Sequence, residues 1–227
     1  MPDGARPASE HTIETKTHGR YLHSAGAATG APVLVGFHGY GETAEDELGR
    51  LRAIPGIDDW TVVSVEGLHK FYRRRTDEIV ASWMTRQNRQ LAIADNIAYV
   101  SNVVSRVSEG AVTLVLTGFS QGVAMAFRAA AALSQPVAGV IACGGDIPPE
   151  LEAKALARIP AVLLGRGARD EWYLEQKLAS DEHRLRAAGV AVQAVILDAA
   201  HDWTPEFADV CSKFLQTLLQ RDSPPRS

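Results

Sequence analysis

Several things are scarce in this 227-residue chain, and each scarcity removes a class of protein. Cysteine occurs only twice, at Cys143 and Cys211, too few and too far apart for a disulfide framework or a zinc site. Positive charge is not in excess: 23 Lys and Arg face 27 Asp and Glu, a net charge of -4. A nucleic-acid binder needs a basic surface, so nucleic acid is not an expected partner. No apolar run approaches the roughly 20 residues that span a bilayer, so stable membrane insertion is not expected either. The opening MPDGARPASEHT has no apolar core of a secretory signal, which makes the cytoplasm the expected location. Metal-ligand clusters and the phosphate-cradling G-x-x-x-x-G-K-[ST] loop are also missing, so no metal and no cofactor is expected.

What is present is ordinary for a globular protein: 46% hydrophobic and 22% charged residues. The length suits one domain with a substantial core. Residues 1–10 and 222–227 read as polar tails around a single α/β domain over 11–221. Cys143 ends an apolar strand and Cys211 lies on a helical apolar stripe, so both read as buried thiols.

One stretch organises the chain, VTLVLTGFSQGVAMA at 112–126. Val112–Leu116 reads as a strand buried on both faces. Gly118-Phe119-Ser120-Gln121-Gly122 stops it, and an alanine-rich run of helix formers follows. Strand, G-x-S-x-G, helix is the context of a nucleophile elbow. So sharp a reversal forces Ser120 towards strained backbone and leaves no room for side chains at 118 and 122. The serine hydroxyl then stands at a helix N-terminus, where developing negative charge is favoured.

On either side of this stretch, strands alternate with helices. Thr12–Thr17 and Arg20–Ser24 read as two short strands about a turn at His18-Gly19. Buried strands are expected over 32–37, 61–65, 137–143, 161–165 and 190–197. Helices are expected from Thr43 to Leu51, Arg89 to Ser108, Pro148 to Ala157, Trp172 to Ala188, and from Pro205 behind a Thr204 cap. In the fourth of these, Leu174, Leu178 and Leu185 should face inward. Residues 67–88 show no clear period and read as a long irregular loop. The pattern as a whole predicts a mostly parallel sheet covered on both faces.

Sites in such sheets lie beyond the carboxyl ends of the strands. Asp170 follows one strand end, His201 another, and His38-Gly39-Tyr40-Gly41 a third. A serine hydroxyl needs a base to become a nucleophile, imidazole titrates near neutral pH, and a carboxylate fixes the imidazole tautomer. Asp146 also follows a strand end and is the alternative acid. A tetrahedral intermediate needs N–H donors already in place. The backbone groups of Tyr40 and Gln121 are the candidates, with His38 supporting their loop. Phe119, Trp83, Met84 and Trp203 are candidate pocket residues. Arg73-Arg74-Arg75, with Arg86 and Arg89, could present a cationic rim to an acidic substrate.

These segments together resemble the phospholipase/carboxylesterase family of small serine esterases, which includes acyl-protein thioesterases, within the α/β-hydrolase fold. Gly118-Phe119-Ser120-Gln121-Gly122 matches the family's elbow letter for letter, and Phe37-His38-Gly39-Tyr40-Gly41-Glu42 is similar to its oxyanion segment. Glu42 stands where the family usually has aspartate, and Val123 where a third glycine is common. RDEWYLEQ lacks the valine-proline that often follows the acid. The resemblance implies an α/β-hydrolase with Ser120, Asp170 and His201 in the order such enzymes use, acting on a small-molecule ester or thioester as monomer or homodimer. Short, soluble carboxylic esters are the expected substrates. The alternatives are a lysophospholipase or acyl-protein thioesterase with a long acyl channel, and a non-catalytic ligand receptor on the same scaffold.

Overall fold

The computed structural model describes residues 8–111 and 113–222. Val112 of the expected central strand, and residues 1–7 and 223–227 of the expected tails, lie outside the described residues.

The chain enters the main sheet at β1, Tyr21–Ser24, and continues through β2, Val33–Phe37. Helix α1, Ala44–Arg52, opens on a capping box: Thr43 Oγ1 accepts from the Asp46 N–H while the Asp46 carboxylate accepts from the Thr43 N–H. A single 3-10 turn, Ile57–Asp59, leads to β3, Thr61–Val65. A separate hairpin follows, β4, His69–Tyr72, with β5, Ile79–Ser82. Next come α2, Arg89–Val107; β6, Leu114–Phe119; α3, Gln121–Ala132; and β7, Gly139–Cys143. The remainder is α4, Ala153–Leu156; β8, Ala161–Gly167; α5, Glu175–Ala187; β9, Ala191–Leu197; and α6, Pro205–Asp222.

The main sheet has the order β1-β3-β2-β6-β7-β8-β9, parallel throughout except for β1, which pairs antiparallel with β3. Strand alternation sends Val33, Val35 and Phe37 of β2 to one face and Leu34 to the other. The first face packs on α2, α3 and α5 through Val100, Phe127 and Leu185. The second packs on α1 and α6 through Leu51, Phe207, Cys211 and Phe214. Each sheet face is thus closed by helices, the mostly parallel α/β-hydrolase arrangement. Cys143 and Cys211 are free and buried, and burial pushes both thiols up, keeping them protonated. Among the described residues no helix is long and apolar enough to cross a membrane.

Five local expectations need correction. No strand forms over 12–17, because Ile13 is its only large apolar side chain and stands 91% exposed with no face to cover it. Residues 67–88 are not irregular: they hold the β4–β5 hairpin, disguised because Asp77 rather than glycine takes the positive φ of its turn (52°). The helix expected over 148–157 shrinks to the single turn of α4, because the backbone is still extended at Glu152 (φ -75°, ψ 166°) and turns helical only from Ala153. Leu174 does not face inward; it precedes α5 as its extended cap residue and is largely exposed, whereas Leu178 and Leu185 are buried. Helix α6 runs through Asp222, the first residue of the expected tail.

Candidate active site

Ser120 occupies the reversal between β6 and α3. Its backbone sits at φ 53°, ψ -117°, a region a non-glycine residue enters only under strain of about 1–3 kcal/mol. The surroundings hold it there. The Ser120 N–H donates to the Cys143 carbonyl at 2.8 Å, and its carbonyl accepts from the Val123 N–H at 3.1 Å. A Cβ at 122 would land on the Phe37 carbonyl, and one at 118 on the backbone of Gly122. Glycine at both positions is therefore a packing requirement of the elbow.

Three strand ends converge on this hydroxyl. His201, in the turn after β9, brings Nε2 to 2.9 Å from Ser120 Oγ and Nδ1 to 2.8 Å from Asp170 Oδ2. Asp170, three residues beyond β8, keeps only 1% of its side chain exposed. Its other oxygen accepts from the N–H groups of Trp172 at 2.8 Å and Tyr173 at 3.0 Å. Burial alone would raise this carboxyl; the Tyr173 N–H, the His201 ring and the Trp172 N–H outweigh it and hold Asp170 below the usual carboxylate range. An ionised Asp170 accepts the Nδ1 proton of His201, which leaves Nε2 free to accept from the serine hydroxyl. Asp146 borders the same cleft but pairs with Lys177 at 3.6 Å rather than with His201, and is more than half exposed.

The turn after β2 forms the adjoining wall. Among the described residues, the N–H groups of Tyr40 and Gln121 donate to no protein acceptor. Their neighbours are firmly tied. Gly39 N–H donates to Glu42 Oε2 at 2.6 Å, and Gly41 N–H to the Ala81 carbonyl at 2.9 Å. Arg50 grips both Glu42 oxygens, lies 3.1 Å from Glu47, and stacks 4.3 Å over the Phe119 ring. His38 is fully buried, donating through Nδ1 to the Gly39 carbonyl (2.7 Å) and accepting at Nε2 from the Gly67 N–H (3.0 Å). Desolvation drives its pKa down, against the pull of Gly39 and nearby carboxylates, so the ring stays neutral in this role.

Of the four side chains expected to line a pocket, Met84 borders the cleft beside Ser120. The others are corrections. Trp83 is sealed in the core, with Nε1 donating to the His38 carbonyl at 2.8 Å. Phe119 is buried between Arg50 and the His201 ring, 5.0 Å from the latter. Trp203 packs edge-on against Phe207 of α6. Aromatics at strand ends are drawn under the covering helices rather than into the cleft. In the expected cationic rim, Arg73 is engaged by Glu78 and the Gly41 carbonyl, and Arg89 borders the cleft.

Several contributors leave little trace in the sequence. The Gln121 side chain accepts from the Trp83 N–H (3.0 Å) and donates to the Met84 carbonyl (3.3 Å), tying the elbow to the end of the hairpin. Arg50, Glu47, Arg128 and Trp172 belong to no motif; only the three- and eight-residue spacings of Glu47 and Glu42 from Arg50 hint at a network.

The profile of the phospholipase/carboxylesterase family matches residues 24–219. Among curated proteins no sequence matches significantly. Among solved structures, acyl-protein thioesterase 2 from Zea mays is similar, with a TM-score of 0.70 at 18% identity, covering 89% of this chain and 100% of that one. Esterase PE8 gives a TM-score of 0.70 at 23% identity, covering 88% and 98%. The Bacillus cereus carboxylesterase gives 0.67 at 16%, covering 88% and 94%. At these identities the likeness establishes the fold, whereas the profile spans most of the chain. The chain belongs to the phospholipase/carboxylesterase family, a family of carboxylic ester hydrolases on the α/β-hydrolase fold.

Proposed function

We propose that the chain is a serine hydrolase cleaving short, water-soluble carboxylic esters or thioesters through an acyl-enzyme on Ser120. The observation that carries this reading is the unbroken run from Ser120 Oγ to His201 Nε2, 2.9 Å, and from His201 Nδ1 to Asp170, 2.8 Å. Ser120 attacks the substrate carbonyl while His201 takes its proton. The carbonyl oxygen becomes an oxyanion, met by the free N–H groups of Tyr40 and Gln121. The bond to the leaving group breaks as His201 returns the proton to it. Water then adds to the acyl-enzyme by the same route, releasing the acid and restoring Ser120. Asp170 holds the imidazole tautomer and stabilises the imidazolium throughout. The scheme draws on no cofactor.

Short substrates are favoured by the size of the cleft, about 280 Å3, at the low end for small-molecule sites. A long acyl chain would need an apolar channel, and charged side chains border this space instead. A series of esters and thioesters of increasing acyl length should therefore peak in kcat/KM at short chains. Ser120→Ala should lower hydrolysis of p-nitrophenyl acetate by about 10⁴-fold or more, with the folded circular-dichroism spectrum retained. Full activity in that variant would contradict the assignment.

A further inference from the structure

The charges bordering the cleft over Ser120 are not balanced. Arg89, Arg128 and Lys177 line it against a single acid, Asp146. Lys177 and Asp146 stand 3.6 Å apart and offset each other. The two arginines are left with one carboxylate, Glu150. One oxygen of Glu150 accepts from both Nε and Nη2 of Arg128, at 2.8 and 2.5 Å. Among the described residues the Nη1 edge meets only the Met84 sulfur, at 3.8 Å, and a thioether is too weak an acceptor to satisfy a guanidinium. Yet the Arg128 side chain is 2% exposed, so water does little for it. Burial pushes its pKa down in spite of Glu150, and the positive charge of Arg89 pushes the same way.

Placement suits this edge to a ligand rather than to the fold. Gln121, Ala124 and Arg128 recur at three and four residues along α3, so one helix face runs from the elbow to the guanidinium. Eight residues of helix rise about 12 Å, and an arginine leaning towards the helix N-terminus shortens that distance to Ser120. The loop bearing Pro148 and Pro149 is pinned by Arg184, which donates to the carbonyls of Ile147, Pro148 and Leu151 at 3.1, 3.0 and 2.9 Å. Arg89 is the first residue of α2, a helix with no acid in its first turn, so the cation opposes the helix dipole where it stands. Among the described residues it has no carboxylate partner within ion-pair distance.

We infer that the cleft selects substrates carrying a carboxylate several bonds from the scissile carbonyl, received by the Nη1 edge of Arg128 with Arg89 as second cation. This rests on the serine-hydrolase reading of Ser120 and adds the substrate class. The carboxylate displaces the Met84 thioether, which also borders the cleft, from the Nη1 position that Glu150 does not use. Charge-assisted hydrogen bonds in a sheltered site discriminate strongly against a neutral isostere.

The test compares matched substrates by pH-stat. Monomethyl succinate, glutarate and adipate are each set against the methyl ester of the corresponding half-amide, placing the charge on the acyl side. The acetyl esters of 3-hydroxypropanoate and 4-hydroxybutanoate, each against its amide, place it on the alcohol side. In at least one arm the carboxylate should be preferred in kcat/KM by about ten- to hundredfold, and added salt should narrow the ratio. Arg128→Met should bring the ratio close to one, Arg128→Lys should restore part of it, and Arg89→Gln should lower it less. A wild-type ratio near one in both arms overturns the inference, as does a ratio unchanged by Arg128→Met. Should Arg128→Met not fold, a ratio indifferent to both Arg89→Gln and salt is equally fatal. Hydrolysis of p-nitrophenyl acetate with no preference removes this inference alone; no hydrolysis of any ester removes the Ser120 reading with it.

Discussion

The turn at 118–122 and the turn at 38–42 pack against each other, Gly122 lying on the carbonyls of Phe37 and His38, yet different forces hold them. The first is fixed by backbone geometry and close packing: a strained serine, two glycines that admit no side chain, and a strand and helix buried on either side. The second is fixed by charge. Glu42 caps the Gly39 N–H, Arg50 clasps Glu42 from α1, and Glu47 sits behind Arg50 without any exposure. The edge of the β4–β5 hairpin completes the clamp through Ala81, which exchanges backbone hydrogen bonds with Gly41 and Glu42. Packing tolerates almost no substitution, whereas a polar clamp can be loosened by degrees. That contrast orders the expected effects of mutation.

The largest belongs to the carboxylate behind the imidazole. Asp170→Asn removes the acceptor that selects the His201 tautomer, and kcat should fall about 10⁴-fold, while Asp146→Asn on the exposed loop should change it less than about threefold. Equal losses in the two variants would reassign the acid. Next comes the clamp. Glu42→Gln keeps the shape of the side chain but weakens its hold on Arg50 and the Gly39 N–H. Looser donors should lower kcat by roughly tenfold with KM little changed, since the interaction matures only in the transition state. A KM effect with kcat intact would show that the turn binds substrate rather than serving the oxyanion.

The smallest effect is on stability. Burial raises Glu47 from 4.5 to about 7, against the pull of Arg50. Its pKa is thus higher folded than unfolded, so between about pH 4.5 and 7 the native state holds a proton that the unfolded chain releases. Stability from this group is complete below that window and is lost as pH rises through it, by at most about 3 kcal/mol. Buried, neutral His38 works in the opposite sense, losing stability as pH falls. The difference between urea-unfolding curves of wild type and Glu47→Gln at pH 5 and pH 8 isolates the glutamate. Wild type should lose more stability on going to pH 8 than the variant does; parallel behaviour would show that Glu47 is already ionised at pH 5.

The same contrast explains what could be read from the sequence. The elbow is written in five consecutive residues because its constraints are local: a reversal, a strained φ and two missing side chains. Asp170 and His201 were legible as residues just past strand ends, where this sheet architecture places chemistry. The clamp was not, because Arg50 meets Glu42 only after α1 has docked, and nothing in the spacing says which face of that helix turns inward. The hairpin escaped notice for a related reason: HKFY and IVAS have no clean alternation, and their turn carries arginines and an aspartate where glycine would have marked it. Trp83 and Trp203 misled in the other direction. Hydrophobicity identifies a buried aromatic but not whether a helix or a ligand buries it.

Ser120 Oγ, held by a strained backbone and facing His201, should behave as a reactive nucleophile. Treatment with a fluorophosphonate followed by peptide mapping addresses it without any assumption about substrate. One modified residue is expected, Ser120, with labelling lost in the folded Ser120→Ala variant. An unlabelled wild-type protein, or a label on another residue, would contradict it.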